Sequence, residues 1–243
     1  MSDHQVLNPA DHAGLRVRTG AGADRGDAIM ATLAVPQEFR RLACEYPILF
    51  RHDPASGRFS ALALLGFEEG ENLFLDGGEW RASVKPLSHA IRPFLVGRPR
   101  EDGAPAQVHI DMAHPRVSTS GEGTLVFDEA GQPTPYLEDV AAMLGALDEG
   151  YRASGAFYAA LDRHDLIEPF AMDVAMPAGN GLGGGQHRLV GYHLINEDKL
   201  AALAPGPLAE LHREGHLLPA YAALTSLGNL AKLARRKAER GRG

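Results

Sequence analysis

Residues 46–67 read YPILFRHDPASGRFSALALLGF. Two apolar runs, Tyr46 to Phe50 and Phe59 to Phe67, are too short for buried helices. The polar turn formers His52-Asp53-Pro54-Ala55-Ser56-Gly57 lie between them, as in a pair of strands joined by a loop. Downstream the same signature recurs over Asn72 to Leu75, Trp80 to Val84, Phe94 to Val96, Val108 to Asp111 and Thr124 to Phe127. Asp76-Gly77 supplies the positive-φ pair of a tight hairpin. Upstream, Pro36 opens a short helix through Cys44, which Glu45-Tyr46-Pro47 ends because a residue before proline avoids helical geometry.

Beyond residue 130 the period changes. Thr134 and Pro135 stand where an N-cap and a first helical residue belong, and Leu137, Val140, Leu144, Leu147 and Tyr151 recur at helical spacing. Gly150 or Gly155 is expected to bend or split this helix. Phe170 to Met176 and His187 to Ile195 read as a hairpin around a glycine-rich loop, 178–185, whose tip is expected to be mobile. A short helix from Asn196 or Asp198, a turn or two over Leu208 to Arg213, and one long helix from Leu217 to Lys237 complete the chain. On that last helix Leu217, Tyr221, Leu224, Leu227 and Ala231 form a stripe that Leu230 and Leu233 widen, implying burial on two sides. The expected fold class is α+β, an antiparallel or mixed sheet from the N-terminal half with helices from the C-terminal half packed on it. Residues 1–30 read as an extended arm, 31–237 as one domain and 238–243 as a basic tail.

The chain has 243 residues, 44% hydrophobic and 23% charged, enough for a sizeable core, and its 28 glycines and 16 prolines follow no fixed period. A single cysteine, Cys44, excludes an internal disulfide and a Cys-based zinc site. The first residues show no basic and apolar leader, and no apolar stretch is long enough to span a bilayer, so a cytoplasmic protein is expected. Net charge is −7, yet residues 232–243 carry six basic groups against Glu239, leaving the body at −12. An acidic body disfavours nucleic acid as a partner. The basic end suits another copy's acidic face, giving a homodimer, or weak contact with an anionic membrane surface.

Several patterns invite chemistry. Gly179-Asn180-Gly181-Leu182-Gly183-Gly184 matches a dinucleotide-binding fingerprint in form, but an alternating strand pattern follows it rather than a helix. His109 and Asp111, two apart on a strand, face one side and can share a metal, with His187 or His193 as the third ligand. That constellation describes a non-haem Fe(II) site with an oxo-acid cosubstrate held by Arg188 or Lys199. His187 and His193 lie about 20 Å apart along their strand, so one of them at most takes part. His212-Arg213-Glu214-Gly215-His216 has zinc-protease spacing but its glutamate in the wrong place. Tyr46, Asp76, Trp80 and Arg92 cluster in neighbouring segments as candidates for a ligand or partner pocket, or for the edge of a core.

The stretches Ala43 to Phe50, Ala63 to Phe67 and Gly70-Glu71-Asn72-Leu73-Phe74-Leu75-Asp76-Gly77-Gly78-Glu79-Trp80 resemble the bacterial SapC family, named for a surface-array protein. Arg92-Pro93-Phe94, Leu125 to Asp128, Leu166-Ile167-Glu168-Pro169-Phe170 and Gly215-His216-Leu217-Leu218-Pro219-Ala220-Tyr221 through Asn229 follow in the same order. The resemblance implies association with the bacterial surface layer, in the company of outer-membrane receptors and flavin-dependent halogenases, and brings no established catalytic residue or cofactor. Ile110-Asp111 fits the family, whereas His109 is not required by it. The function expected is therefore a soluble accessory or binding protein of an envelope-associated system, with a protein or small ligand as partner. The alternative is an oxygenase-like iron enzyme.

Overall fold

In the computed structural model, which describes residues 2–97, 106–118, 121–175 and 186–241, the stretch read first forms the central hairpin of a five-stranded sheet. In chain order the elements are β1 (His4–Val6), α1 (Pro9–His12), β2 (Arg16–Val17), β3 (Ala31–Ala34), α2 (Phe39–Leu42), β4 (Ile48–Asp53), β5 (Arg58–Leu64), β6 (Leu75–Asp76) and β7 (Glu79–Trp80). They continue with α3 (Leu87–Ala90), β8 (Phe94–Gly97), β9 (Gln107–Asp111), β10 (Val117–Ser118), β11 (Thr124–Leu125) and α4 (Pro135–Arg163). The remainder is β12 (Ile167–Ala175), β13 (Gln186–Ile195), α5 (Glu197–Ala201), α6 (Pro205–Arg213), α7 (Leu217–Ser226) and α8 (Gly228–Arg240). Strand pairing is antiparallel among the described residues, and the class is α+β. The glycine-rich loop 178–185 lies outside the described residues.

The chain divides into two units, the first made of Met1–Ala28, Leu75–Arg81 and Leu87–Glu149. It contains two small sheets, ordered β1-β9-β8 and β10-β2-β11, and the β6–β7 ribbon. Residues 1–30, read from the sequence as an arm, supply β1 and β2 to these sheets. Leu15 and Val17 are buried with Ile91, Phe94, Ile110, Val126, Phe127, Leu137, Val140 and Leu144. Of the stripe expected on α4, Leu137, Val140 and Leu144 close this core and Leu147 packs partly against it, whereas Tyr151 is 57% exposed. Thr134 stands at the helix start as expected, its Oγ1 accepting from Leu137 N at 3.5 Å while donating to Leu125 O at 2.8 Å.

The second unit comprises Ile29–Phe74, Ala82–Pro86 and Gly150–Gly243, around the sheet β12-β13-β4-β5-β3. Ile48 faces Ala63 and Asp53 faces Arg58 across the central hairpin. Buried Phe50 meets Phe157 and Tyr158 at ring separations of 6.4 and 5.9 Å, and Phe39 closes on Phe157 at 5.9 Å. Burying side chains of this size contributes about 1.5–3 kcal/mol each.

Neither Gly150 nor Gly155 splits α4, which runs unbroken through Arg163. At Gly150 the helix passes so close to the chain before α2 that an added Cβ would lie 2.7 Å from Val35 Cγ2. Contact, not curvature, selects this glycine. Gly150→Ala is therefore expected to destabilise the protein by about 1–3 kcal/mol despite the better helix former, because overpacking outweighs the roughly 1 kcal/mol of propensity. Urea unfolding of the variant checks the sign.

The closing helix differs from expectation in two ways. It breaks at Leu227, where Leu227 N bonds Leu224 O and Leu230 N bonds Leu227 O in three-residue turns. Its buried face is Ala220, Ala223, Ser226, Asn229, Leu230, Leu233 and Lys237, whereas Tyr221, on the expected stripe, is 48% exposed. Polar residues occupy this face because each meets an open partner. Ser226 Oγ accepts from Ile48 N at 2.9 Å, and Asn229 Nδ2 donates to Ala43 O at 2.7 Å and Tyr46 O at 3.3 Å. Lys237 Nζ bridges Glu68, at 2.9 Å, and Glu71. Arg240 donates to Asn72 O at 2.8 Å, and Arg236 lies 4.5 Å over the Phe74 ring. Much of the basic end is thereby used within the chain.

Candidate functional site

Asp27 gathers a cluster of charged and titratable side chains in the first unit. The chain reaches it through a 3-10 turn, Ala23–Arg25, and Gly26, whose φ of +80° favours glycine. The carboxylate turns back to accept from Gly22 N at 2.8 Å, closing the turn on itself. Arg116 Nη2 donates to both Asp27 oxygens, at 2.6 and 2.8 Å, while its Nη1 donates to Arg18 O at 2.7 Å and Gly20 O at 2.9 Å. The segment 18–27 is wrapped around one guanidinium. His89, on α3, places Nε2 2.8 Å from Asp27 Oδ1, and its ring stacks on Trp80 with centroids 4.7 Å apart.

Burial alone would drive the Asp27 carboxyl toward its neutral form, since an isolated buried charge is costly. The His89 bond, the Gly22 amide and Arg116 more than reverse this and hold it well below the usual carboxylate range. With 0% exposure, Asp27 touches no solvent-borne ligand and abstracts no proton from one. Its effect is exerted through its neighbours. Trp80, Arg92 and His114 are the half-buried groups around it. Arg92 Nη1 donates to Gly26 O at 3.5 Å, and His114 Nδ1 accepts from Arg116 N at 3.2 Å. Burial lowers the His114 pKa, and the positive charges of Arg92 and Arg116 lower it further.

Of the residues singled out from the sequence, Trp80 and Arg92 therefore belong to one constellation. Asp76 shares their unit but is exposed and paired with Arg81 at 3.4 Å. Tyr46 lies in the other unit, fully buried, with its ring 4.6 Å from Phe74 and its hydroxyl donating to Val84 O. Asp27, His89, His114 and Arg116 were not singled out from the sequence. Positions 27 and 89, or 27 and 116, are too far apart for any local spacing to connect them.

The candidate metal ligands fall in both units. His109 pairs with Val6 and Asp111 with His4 on β9, in the first unit. Asp111 Oδ1 accepts from Asp3 N at 2.8 Å and Ala113 N at 3.1 Å, so its carboxylate fastens backbone. His193 belongs to the second unit, and the side chain of His187 lies outside the described residues. Among the described residues no three His, Cys, Asp or Glu side chains group as metal ligands.

On β13, His193 faces Phe50 of β4, the registered pair that joins these strands among the described residues. Its ring lies 5.3 Å from Phe59 and 6.3 Å from His52. Burial, then the proximity of His52, lowers its pKa. A base with a lowered folded pKa binds fewer protons folded than unfolded. Its contribution is therefore complete above about pH 6.5 and is lost as pH falls from there toward the folded value. Stability is expected to drop as pH falls below about 6.5, and His193→Leu to flatten that slope in urea titrations on the acid side.

Among the described residues no helix is long and apolar enough to cross a membrane. No curated protein and no solved structure matches the chain. The SapC family model does, over residues 7–233, and so through the Asp27 cluster and the pinned closing helix alike. With nearly its whole length matched, the chain belongs to the SapC family.

Proposed function

We propose that the protein is an accessory or binding protein of a bacterial envelope or surface-associated system, recognising a protein or small ligand of that system. Family membership supports the system. The observation that carries the binding role is the Asp27 centre, whose acid and Arg116 are consumed in mutual bonds and in fastening segment 18–27. A buried network of this kind positions side chains at its rim, here Trp80 and Arg92, and rigid positioning is what a recognition surface requires.

Fractionation of a bacterium with a surface layer tests the reading. The tagged chain is expected in the envelope fraction, released by high salt in keeping with a peripheral charged contact. Recovery wholly in the cytosol, at every ionic strength, would overturn it. Gel filtration at low and high salt reports in parallel whether the outer basic groups of α8, such as Lys232 and Arg235, support self-association.

A further inference from the structure

Arg92 is the charge in the Asp27 cluster that the cluster does not neutralise. Its guanidinium follows His89 by three positions, half-buried, and its hydrogen bond goes to Gly26 O at the outer limit of range, 3.5 Å. Asp27, the acid whose field reaches it, already serves Arg116 twice, His89 and Gly22. One carboxylate thus faces two guanidinium groups, and Arg116 acts against Arg92 as a like charge. Burial strips water from Arg92, and among the described residues its hydrogen bond goes to a carbonyl and not to a carboxylate. Beside it the His114 ring approaches Gly26 so closely that an added Cβ there would lie 3.3 Å from the imidazole. Arg92 and His114 therefore both converge on the Gly26 turn.

We propose that Arg92 and His114 form a binding site for an anionic oxygen group, a carboxylate or phosphate, carried by the ligand. The proposal rests on the reading of the protein as a binding protein and names the chemistry its site takes. A planar guanidinium offers two parallel donors that match such an oxyanion, and the resulting bonds are stronger than neutral ones. His114 is kept neutral by burial and by the two arginines. Nδ1 accepts from Arg116 N, so the neutral ring carries its proton on Nε2, the nitrogen beside the Gly26 turn, and that N–H is the further donor. An arriving anion offsets the positive charges and raises the ring's pKa. The bound group is held by one fork and one imidazole N–H, with the Asp27–Arg116 pair fixing both from behind.

The test uses the full chain and three salts at equal ionic strength: inorganic phosphate, acetate and chloride. NMR titration of the histidine rings, with His114→Gln assigning the signal, reads the apparent pKa of His114 in each. Phosphate or acetate is expected to raise it in a saturable way and chloride to leave it in place; whichever anion saturates at lower concentration identifies the preferred group. Arg92→Gln is expected to weaken that binding about 10- to 100-fold, the loss that follows from one charge-assisted contact, and to raise the His114 pKa of the ligand-free protein. Arg92→Lys, which keeps the charge and loses the fork, should fall between the two, and Arg81→Gln should bind like the parent. Equal shifts with chloride, or saturable binding that survives in Arg92→Gln, would overturn the proposal. If Arg92→Gln does not fold, the Lys variant decides: unchanged binding overturns the fork. Failure here leaves the envelope fractionation result standing, and the reverse holds as well.

Discussion

Asp27→Ala is expected to lower the free energy of unfolding by about 3–5 kcal/mol, the penalty for breaking a buried ion pair from one side. Arg116 would keep its burial and lose its counter-charge, and Gly22 N and His89 would lose their acceptor. Denaturant unfolding at neutral pH measures the loss. Asp76→Ala, at an exposed position in the same unit, should change stability by no more than about 0.5 kcal/mol. The pH dependence follows from the sign of the shift. Asp27 titrates lower folded than unfolded, so its contribution is fully present above about pH 4 and is lost as pH falls through the folded value. The gap between parent and variant should accordingly narrow in strong acid. A gap of less than about 1 kcal/mol at pH 7 would mean that Arg116 finds solvent or another acceptor once Asp27 is gone.

Truncation after Leu233 is expected to cost about 4–5 kcal/mol, which treats the basic end as part of the fold rather than as a detachable appendage. Lys237 lies between Glu68 and Glu71, and of these three side chains Glu68 is the one well exposed to solvent. Losing the lysine leaves two carboxylates facing one another, a cost of about 2–3 kcal/mol, between the exposed and fully buried cases. The Arg240 bond to Asn72 O and the Arg236 contact with Phe74 add about 1 kcal/mol each. Burial pulls the Lys237 pKa down, but the bonds to Glu71 and Glu68 raise it overall. Its stabilisation is therefore present below about pH 10.4 and fades as pH rises through the folded value. Thermal unfolding of the truncated chain and of Lys237→Met separates the ion-pair loss from the rest; a truncated chain as stable as the parent would sink the account.

What the sequence disclosed depended on whether the stabilising partner was near or far. The β4–β5 hairpin was legible because both apolar runs and their turn lie within 22 residues, and the first half of α4 because Leu137, Val140 and Leu144 repeat on one face. β1 and β2 were not, since strands of two or three residues have no period of their own and exist by pairing with residues 107–125. On the closing helices hydrophobicity pointed to Leu217 and Tyr221, while the buried face contains Ser226, Asn229 and Lys237. Their burial depends on open groups at Ala43, Tyr46, Ile48 and Glu71 that no helical pattern foretells. The site divides in the same way. Trp80 and Arg92 drew attention by residue type and by the family pattern, but Asp27 sat in a glycine-rich stretch with its partners 62 and 89 positions distant.

The pinning of segment 43–48 by Ser226 and Asn229 sets the order in which a chain made from its N-terminus can mature. Every residue of the first unit, through Glu149, leaves the ribosome before Gly150, so that unit is free to condense while synthesis continues. The second unit is not. Ile48 N waits for an acceptor 178 positions later, and Ala43 O for a donor 186 positions later. Closing loops of that length is slow, because their entropy is lost before the contacts that repay it are made. Until then Tyr46, Phe50, Phe67 and Phe74, all buried in the finished protein, lack the cover they have in the folded state. The nascent chain thus carries a half-built aromatic sheet for most of its synthesis, and this is the interval in which aggregation competes with folding and in which a chaperone would bind.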